Sequence, residues 1–512
     1  MRSKSGLSSL KLTLLGALLL GAAQAALANV RLPAIFSDHM VLQRDAPVSV
    51  WGWADAGERV TVSIAGQTKT TQAGADGRWM LKLDKLKACD TPQQLVVKGV
   101  NTITLNDVLV GEVWLGSGQS NMAMTVNRAK DYAQEQVAAN FPLVRMFKEE
   151  SGTAKTAQAD GKGQWVLCAP ETVGAFSATL YFFGREIHQK LNVPVGLINS
   201  SVGGTPIESW ISPEAQHASK ELTPFFEAIS KPGTDAVSEA AKAKYERDLA
   251  AWDEAAKKAR GANQKAPRKP RNPAAASVRK ADVGGLYNGK IAPLIPYAIR
   301  GALWYQGEAN TNPPKPPFYQ HQLPLLVKDW RARWGYNFPF AWVQLPNFNA
   351  PGRDWPLVRE AMLKSLKVPQ TGMAITIDIG DPGNIHPTNK QEVGRRLSLW
   401  ALGEVYGQKG VATSGPIPAG QKIRGGEVVL SFKHTDAGLV AKGGELKGFA
   451  IAGVDKQWLN ASAKIVGDTV VVSHPGVKKP VAARYAWADN PDCNLFKGAG
   501  LSASPFRTDN WQ

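Results

Sequence analysis

The sequence predicts an α/β protein: a mostly parallel sheet covered by helices on both faces, preceded by a small β-sandwich and followed by a second β-rich region. Three observations carry that expectation. Between about Val110 and Gly407, apolar strand-like runs alternate with helical segments, the rhythm of a parallel sheet. Before it, from Val30 to about Leu109, the runs are short and punctuated by turn residues. After about Val411 short strands return.

The elements follow in order. Residues 1–28 carry Arg2, Lys4 and Lys11, an apolar stretch from Leu12 to Leu20, and small residues ending in Ala26-Leu27-Ala28. This reads as a secretory signal peptide, too short in its apolar core to span a bilayer, so the mature protein is expected in the periplasm or outside the cell with no integral membrane segment. The sandwich, 29–109, is expected to hold strands Val48 to Trp53, Val60 to Ile64, Trp79 to Leu83, Leu95 to Val97 and Asn101 to Leu105, separated by turns such as Asp76-Gly77. The central region, 110–408, alternates strand and helix. Helix Ser177 to Leu191 leads to strand Val193 to Ser200, and strand Gly301 to Tyr305 leads to helix Tyr319 to Trp334. Strand Phe340 to Leu345 precedes helix Trp355 to Leu366, and strand Met373 to Ile379 precedes helix Lys390 to Tyr406. That last helix puts Val393, Leu397, Trp400 and Ala401 on one face, with Thr388 and Gln391 expected as its capping box. The C-terminal region, 409–512, is expected to hold strands Val428 to Phe432, Gly448 to Ala452, Thr469 to Ser473 and Ala482 to Trp487.

A net charge of +17 raises nucleic acid as a partner, but the excess is concentrated rather than spread over a binding face. Much of it lies between Lys242 and Lys280, within an insertion at about 213–282 that reads as an exposed helix, Glu239 to Arg260, running into a linker with little apolar surface to bury. No nucleic-acid partner is expected. Three cysteines, Cys89, Cys168 and Cys493, allow at most one disulfide, so stability must come from ordinary cores.

The apolar run Val108 to Leu115 ends in Gly118-Gln119-Ser120-Asn121-Met122. A strand stopping there presents a hydroxyl on a turn at the carboxyl edge of a sheet, where open α/β folds place their sites. The nucleophile elbow of α/β-hydrolases is excluded, because it needs a glycine two residues after the serine and this chain has Met122. Three more loops at strand ends combine small and polar residues. Asn199 to Pro206 contains Gly203-Gly204, whose backbone amides can approach a ligand closely, or which simply make a tight turn. Trp304 to Asn310 contains Gln306, a side-chain amide able to donate to a developing oxyanion, or to cap the strand end. Asp378 to Pro387 contains His386, with Asp378 and Asp381 as carboxylates able to orient an imidazole base. The remaining histidines lie apart without metal-ligand spacing, and no phosphate-binding glycine motif opens a helix; neither a metal nor a nucleotide cofactor is expected.

Taken in order, these loops resemble the sialate O-acetylesterase family, the SASA-type carbohydrate esterases within the SGNH hydrolases. The resemblance runs from Phe36-Ser37-Asp38-His39-Met40-Val41-Leu42-Gln43 through Gly118 to Met122, Trp304-Tyr305-Gln306-Gly307-Glu308 and Ile385-His386-Pro387 to Arg484-Tyr485-Ala486-Trp487. It implies a flavodoxin-like three-layer core, a Ser120 nucleophile, a His386 base, and an oxyanion hole from the Ser120 amide, Gly203, Gly204 and Gln306. Gln119, Asn121 and Glu308 would contact the substrate, an O-acetylated glycan such as a sialic acid or a plant polysaccharide. One departure stands out: many SGNH enzymes carry an aspartate two or three residues before the histidine, where this chain has Asn384 and Gly383. The acid is then Asp381 or Asp378, or the pair works as a dyad. That departure and the flanking β regions motivate one rival, a non-catalytic glycan-binding protein with a degenerate esterase core. A glycoside hydrolase using Glu308 and Asp381 is another.

Overall fold

The computed structural model describes residues 29–230, 239–261, 266–267, 269–270 and 283–511. The expected signal peptide and most of the basic linker lie outside the described residues. No described helix is long and apolar enough to cross a membrane.

The molecule is a mixed α/β structure built on a central sheet, with β-rich regions at both ends. Its spine is one 17-residue strand, Thr102–Gly118. The first half pairs antiparallel with Cys89–Lys98 and parallel with Val41–Gln43, so it belongs to the N-terminal β layers. Its second half is uninterruptedly buried and forms the centre of a parallel sheet, as expected where both faces are covered. The sheet runs Thr371–Ala374, Phe340–Val343, Gly301–Tyr305, Thr102–Gly118, Val195–Ser201, Phe141–Lys148, and ends in the antiparallel Trp165–Cys168. The last two of these are not expected from the sequence, where Pro142 interrupts the apolar run.

Side chains alternate across the sheet and divide the core in two. Trp114, Leu197, Leu303 and Ala341 pack with helices Ala178–Leu191 and Lys390–Trp400 on one face. Leu115, Ile198, Trp304 and Trp342 pack with helices Tyr319–Trp334 and Trp355–Ser365 on the other. Chain order departs in both directions from the central strand: the next three strands lie to one side and the three after them to the other. Such a reversal opens a crevice at the carboxyl ends of the strands. The serine loop emerges there.

Two helix ends differ from expectation. The cap of Lys390–Trp400 is Asn389, whose side chain accepts from the Glu392 amide, while Gln391 reaches away to the Lys130 carbonyl at 2.6 Å. Beyond Trp400 the helix widens into a π-turn, Ala401–Val405. In the insertion, helix Glu239–Gly261 is present. All three cysteines are free.

The C-terminal strands form two four-stranded sheets and a two-stranded one around Val428, Leu430, Ile451, Val470, Val472 and Tyr485. This region also packs on the α/β core. Arg359 donates to the carbonyls of Ala488 and Asp489, Arg507 pairs with Glu360, and Ser502 reaches Asp378.

Candidate active site

Gly118 ends the central strand at φ +133°, and a Cβ there would lie 2.2 Å from the Tyr305 carbonyl oxygen. Only glycine lets the two strands close at this point and still turn the chain. The turn places Ser120 first in a short helix, Ser120–Ala123. The Val202 amide donates to the Gly118 carbonyl, which brings the second loop alongside, and a Cβ on Gly203 would lie 3.5 Å from that of Ser120. Among the described residues, no protein group accepts from the amides of Ser120, Gly203 or Gly204.

His386 arrives from the opposite direction. Its Nε2 lies 2.8 Å from Ser120 Oγ, joining residues 266 positions apart in a half-buried setting. The Asn384 side chain accepts from the His386 amide at 3.0 Å, a local turn that sets the backbone carrying the imidazole. Burial lowers the imidazole pKa below its ordinary 6.5, and the cations Lys390 and Arg128 lower it further.

Neither aspartate is hydrogen-bonded to that imidazole. Asp378 accepts two bonds from the Arg396 guanidinium, at 2.6 and 2.8 Å, and a third from Ser502 Oγ at 2.7 Å. Burial alone would raise its pKa, but Arg396 and Ser502 hold it below the ordinary value. Asp381 is exposed and accepts from the Gly383 amide at 2.9 Å, stabilising a turn.

The other expected site residues are interior. Gln306 is buried; its Nε2 donates to the Thr205 carbonyl and to Asn310, and its Oε1 accepts from the Tyr319 hydroxyl, so its amide braces the Gly203-Gly204 loop and its donors are taken by protein groups. Gln119, Asn121 and Glu308 are 3%, 0% and 2% exposed. Gln119 accepts from the Ala309 amide, and Asn121 donates to Glu308 at 2.5 Å. Such burial leaves them without a surface to offer a sugar. Trp304 and Trp355 are likewise core residues. Lys390, which the sequence does not single out, lies within this interior cluster, its Nζ 2.7 Å from Asn121 Oδ1. A lysine at the start of an amphipathic helix ordinarily reads as solvated, and only tertiary structure reveals its burial.

A serine–histidine pair at the carboxyl edge of an α/β sheet is the arrangement of an acyl-transfer enzyme, and similarity over nearly the whole chain identifies the protein as a carboxylic ester hydrolase. Residues 110–252 and 286–401 match the family described as carbohydrate esterase, sialic acid-specific acetylesterase. Sialate O-acetylesterase of Homo sapiens is 30% identical over 546 residues, covering 96% of this chain and 94% of that protein. Sialate O-acetylesterase of Rattus norvegicus is 29% identical over 531 residues, covering 93% and 94%. The crystal structure of a carbohydrate acetylesterase from Xanthomonas citri is 35% identical, with a TM-score of 0.80, covering 94% of this chain and all of that one. The chain belongs to this carbohydrate esterase family.

Proposed function

We propose that the protein removes acetyl groups from O-acetylated glycans by a serine-dependent mechanism on an SGNH-type, flavodoxin-like core. The observation that carries this reading is the 2.8 Å contact between Ser120 Oγ and His386 Nε2. With its proton on Nδ1, the neutral imidazole accepts the Ser120 proton as the oxygen attacks the acetyl carbonyl. The tetrahedral oxyanion is received by the amides of Ser120, Gly203 and Gly204, whose lack of protein partners supports that role. The imidazolium then protonates the departing sugar oxygen, and water, activated the same way, releases acetate and restores Ser120. With Asp378 engaged by Arg396, Ser120 and His386 work as a dyad. We further take residues 1–28 as a cleaved leader, which places the mature enzyme in the periplasm or outside the cell, and residues 29–109, 110–408 and 409–512 as its three domains.

The rival of a degenerate, purely binding protein is not favoured, since hydroxyl and imidazole are in contact. The activity for which the mammalian relatives are named makes O-acetylated sialic acids the first substrates to try. Acetate release should be measured over O-acetylated sialic acids, acetylated xylan and acetylated xyloglucan, with Ser120→Ala in parallel. The expected outcome is acetate release from at least one glycan with its chain intact, abolished in the variant. Equal release by Ser120→Ala would overturn the serine mechanism, and cleaved glycan chains would overturn the esterase reading.

A further inference from the structure

Behind the serine–histidine pair lies a buried polar cluster that the mechanism above does not use. Lys390 Nζ donates to Asn121 Oδ1 at 2.7 Å, and Asn121 Nδ2 donates to Glu308 Oε1 at 2.5 Å and to the Ile385 carbonyl at 3.0 Å. Asn121 directly follows Ser120, and Ile385 directly precedes His386. One side-chain amide therefore ties the helix of the hydroxyl to the loop of the imidazole. All three side chains are buried, and Lys390 also lies over the Tyr305 ring, 5.1 Å from its centroid.

The chemistry of the partners fixes which way the amide points. Lys390 offers only donors and the Ile385 carbonyl only an acceptor, so the Asn121 oxygen must face the former and its nitrogen the latter. Reversing the amide would set donor against donor and acceptor against acceptor. The arrangement is costly: a buried ammonium and a buried carboxyl group both lose hydration, and Glu308 Oε2 has no hydrogen-bond partner among the described residues. Burial lowers the Lys390 pKa to about 7 and raises that of Glu308. Only replacing the whole cluster by apolar side chains would spare that cost; removing Lys390 alone would leave the Asn121 oxygen and Glu308 buried without it.

We infer that Lys390, Asn121 and Glu308 are positioning residues for the esterase reaction, holding Ser120 and His386 in register through the Asn121 amide in place of a carboxylate on the imidazole. The inference rests on the reading of Ser120 and His386 as nucleophile and base. Lys390 orients the amide, Asn121 spans the two segments, and Glu308 anchors the end of the amide away from Lys390. Misplacing reacting atoms by about 1 Å costs on the order of 100-fold in rate.

The test compares Lys390→Met, Glu308→Gln and Ser120→Ala with the parent enzyme, using 4-nitrophenyl acetate, thermal melting and the pH profile of kcat/KM. Lys390→Met leaves the Asn121 oxygen without its donor and Glu308 without the ammonium, so it is expected to melt below the parent temperature. With assays run well below that temperature, kcat per folded molecule should fall on the order of 100-fold while KM stays within about twofold. Its acid limb should also move to higher pH. The charged groups acting on His386 are Lys390 and Arg128, both of which lower its pKa, so removing one lets it rise. Glu308→Gln keeps a carbonyl oxygen for Asn121 and should retain activity within about fivefold of the parent, on the scale of a single neutral hydrogen bond. A Lys390→Met enzyme whose kcat per folded molecule is within twofold of the parent overturns the inference, as does a loss of activity fully accounted for by the unfolded fraction at the assay temperature. Should Lys390→Met fail to fold, Glu308→Leu against Glu308→Gln decides: equal kcat in the two overturns the inference, and loss only in the leucine variant supports it. Activity surviving in Ser120→Ala would instead remove the underlying reading, whatever Lys390 does.

Discussion

The segment from Asp378 to His386 has two ends in opposite electrostatic surroundings. At its start, Asp378 is gripped by Arg396 and Ser502 and held ionised. At its end, His386 meets a hydroxyl, with two cations and no carboxylate shifting its proton affinity. In a loop expected to supply both base and acid, the carboxylate is held by Arg396 and Ser502 and only the imidazole reaches the Ser120 hydroxyl. A carboxylate near a histidine in sequence orients it only if no stronger partner claims it first, and a bidentate guanidinium is such a partner.

The largest break in this comparison comes from its open end. His386→Ala should lower kcat on the order of 1,000-fold, the scale of general acid–base catalysis, with melting temperature little changed because the ring is only half-buried. Stopped-assay acetate release together with a thermal melt checks both halves. A loss under tenfold would return the imidazole to a structural role.

The closed end should break differently. Asp378→Asn leaves the buried Arg396 with Glu392 as its remaining ionised partner and replaces charge-assisted hydrogen bonds by neutral ones, which costs about 2 kcal/mol of folding stability. Chemical denaturation measures it, and activity per folded molecule should fall far less than in His386→Ala. The carboxylate contribution also has a definite pH sense. Its folded pKa lies below the unfolded value of 3.8, so the stabilisation is fully present above pH 3.8 and is lost as pH falls through the folded value. Asp378→Asn should therefore flatten the acid arm of the stability curve.

The sequence shows this site in outline and its wiring hardly at all. Strand ends and small residues are local signals, so the loops of Ser120, Gly203 and His386 are legible from residue type and spacing alone, as are helices Ala178–Leu191 and Tyr319–Trp334. The partner of a charged side chain is a tertiary fact. Nothing in the sequence joins Asp378 to Ser502 across 124 positions, or Asn121 to Lys390 across 269. The same holds for Gln306, whose amide looks available on a loop yet braces Thr205 and Asn310. Strand Phe141–Lys148 is hidden for a local reason, its proline, and the spine strand Thr102–Gly118 reads as two runs because it serves two β layers with different burial patterns.

A pH profile sharpens the contrast from the side of the base. General-base action needs neutral imidazole, and burial with Lys390 and Arg128 lowers its pKa, so kcat/KM should climb with pH and level off with a midpoint below 6.5. A midpoint above 6.5 would require a carboxylate facing the ring, and the comparison between the two ends of the segment would fail.

The smallest effect expected is at Asp381, and it is the most discriminating. Its carboxylate is exposed and accepts the Gly383 amide across a turn, so Asp381→Asn keeps an acceptor oxygen in place and should change stability by no more than about 0.5 kcal/mol. If serine and histidine act as a dyad, Asp381 touches neither of them and kcat should stay within about twofold. If instead the loop moves on substrate binding and brings Asp381 to Nδ1, the asparagine would stabilise the wrong tautomer and the imidazolium would lose its counter-charge. The penalty would then approach the roughly 10,000-fold drop that follows when a triad aspartate becomes asparagine. One substitution five residues before the histidine thus separates two designs by more than three orders of magnitude in a single turnover measurement.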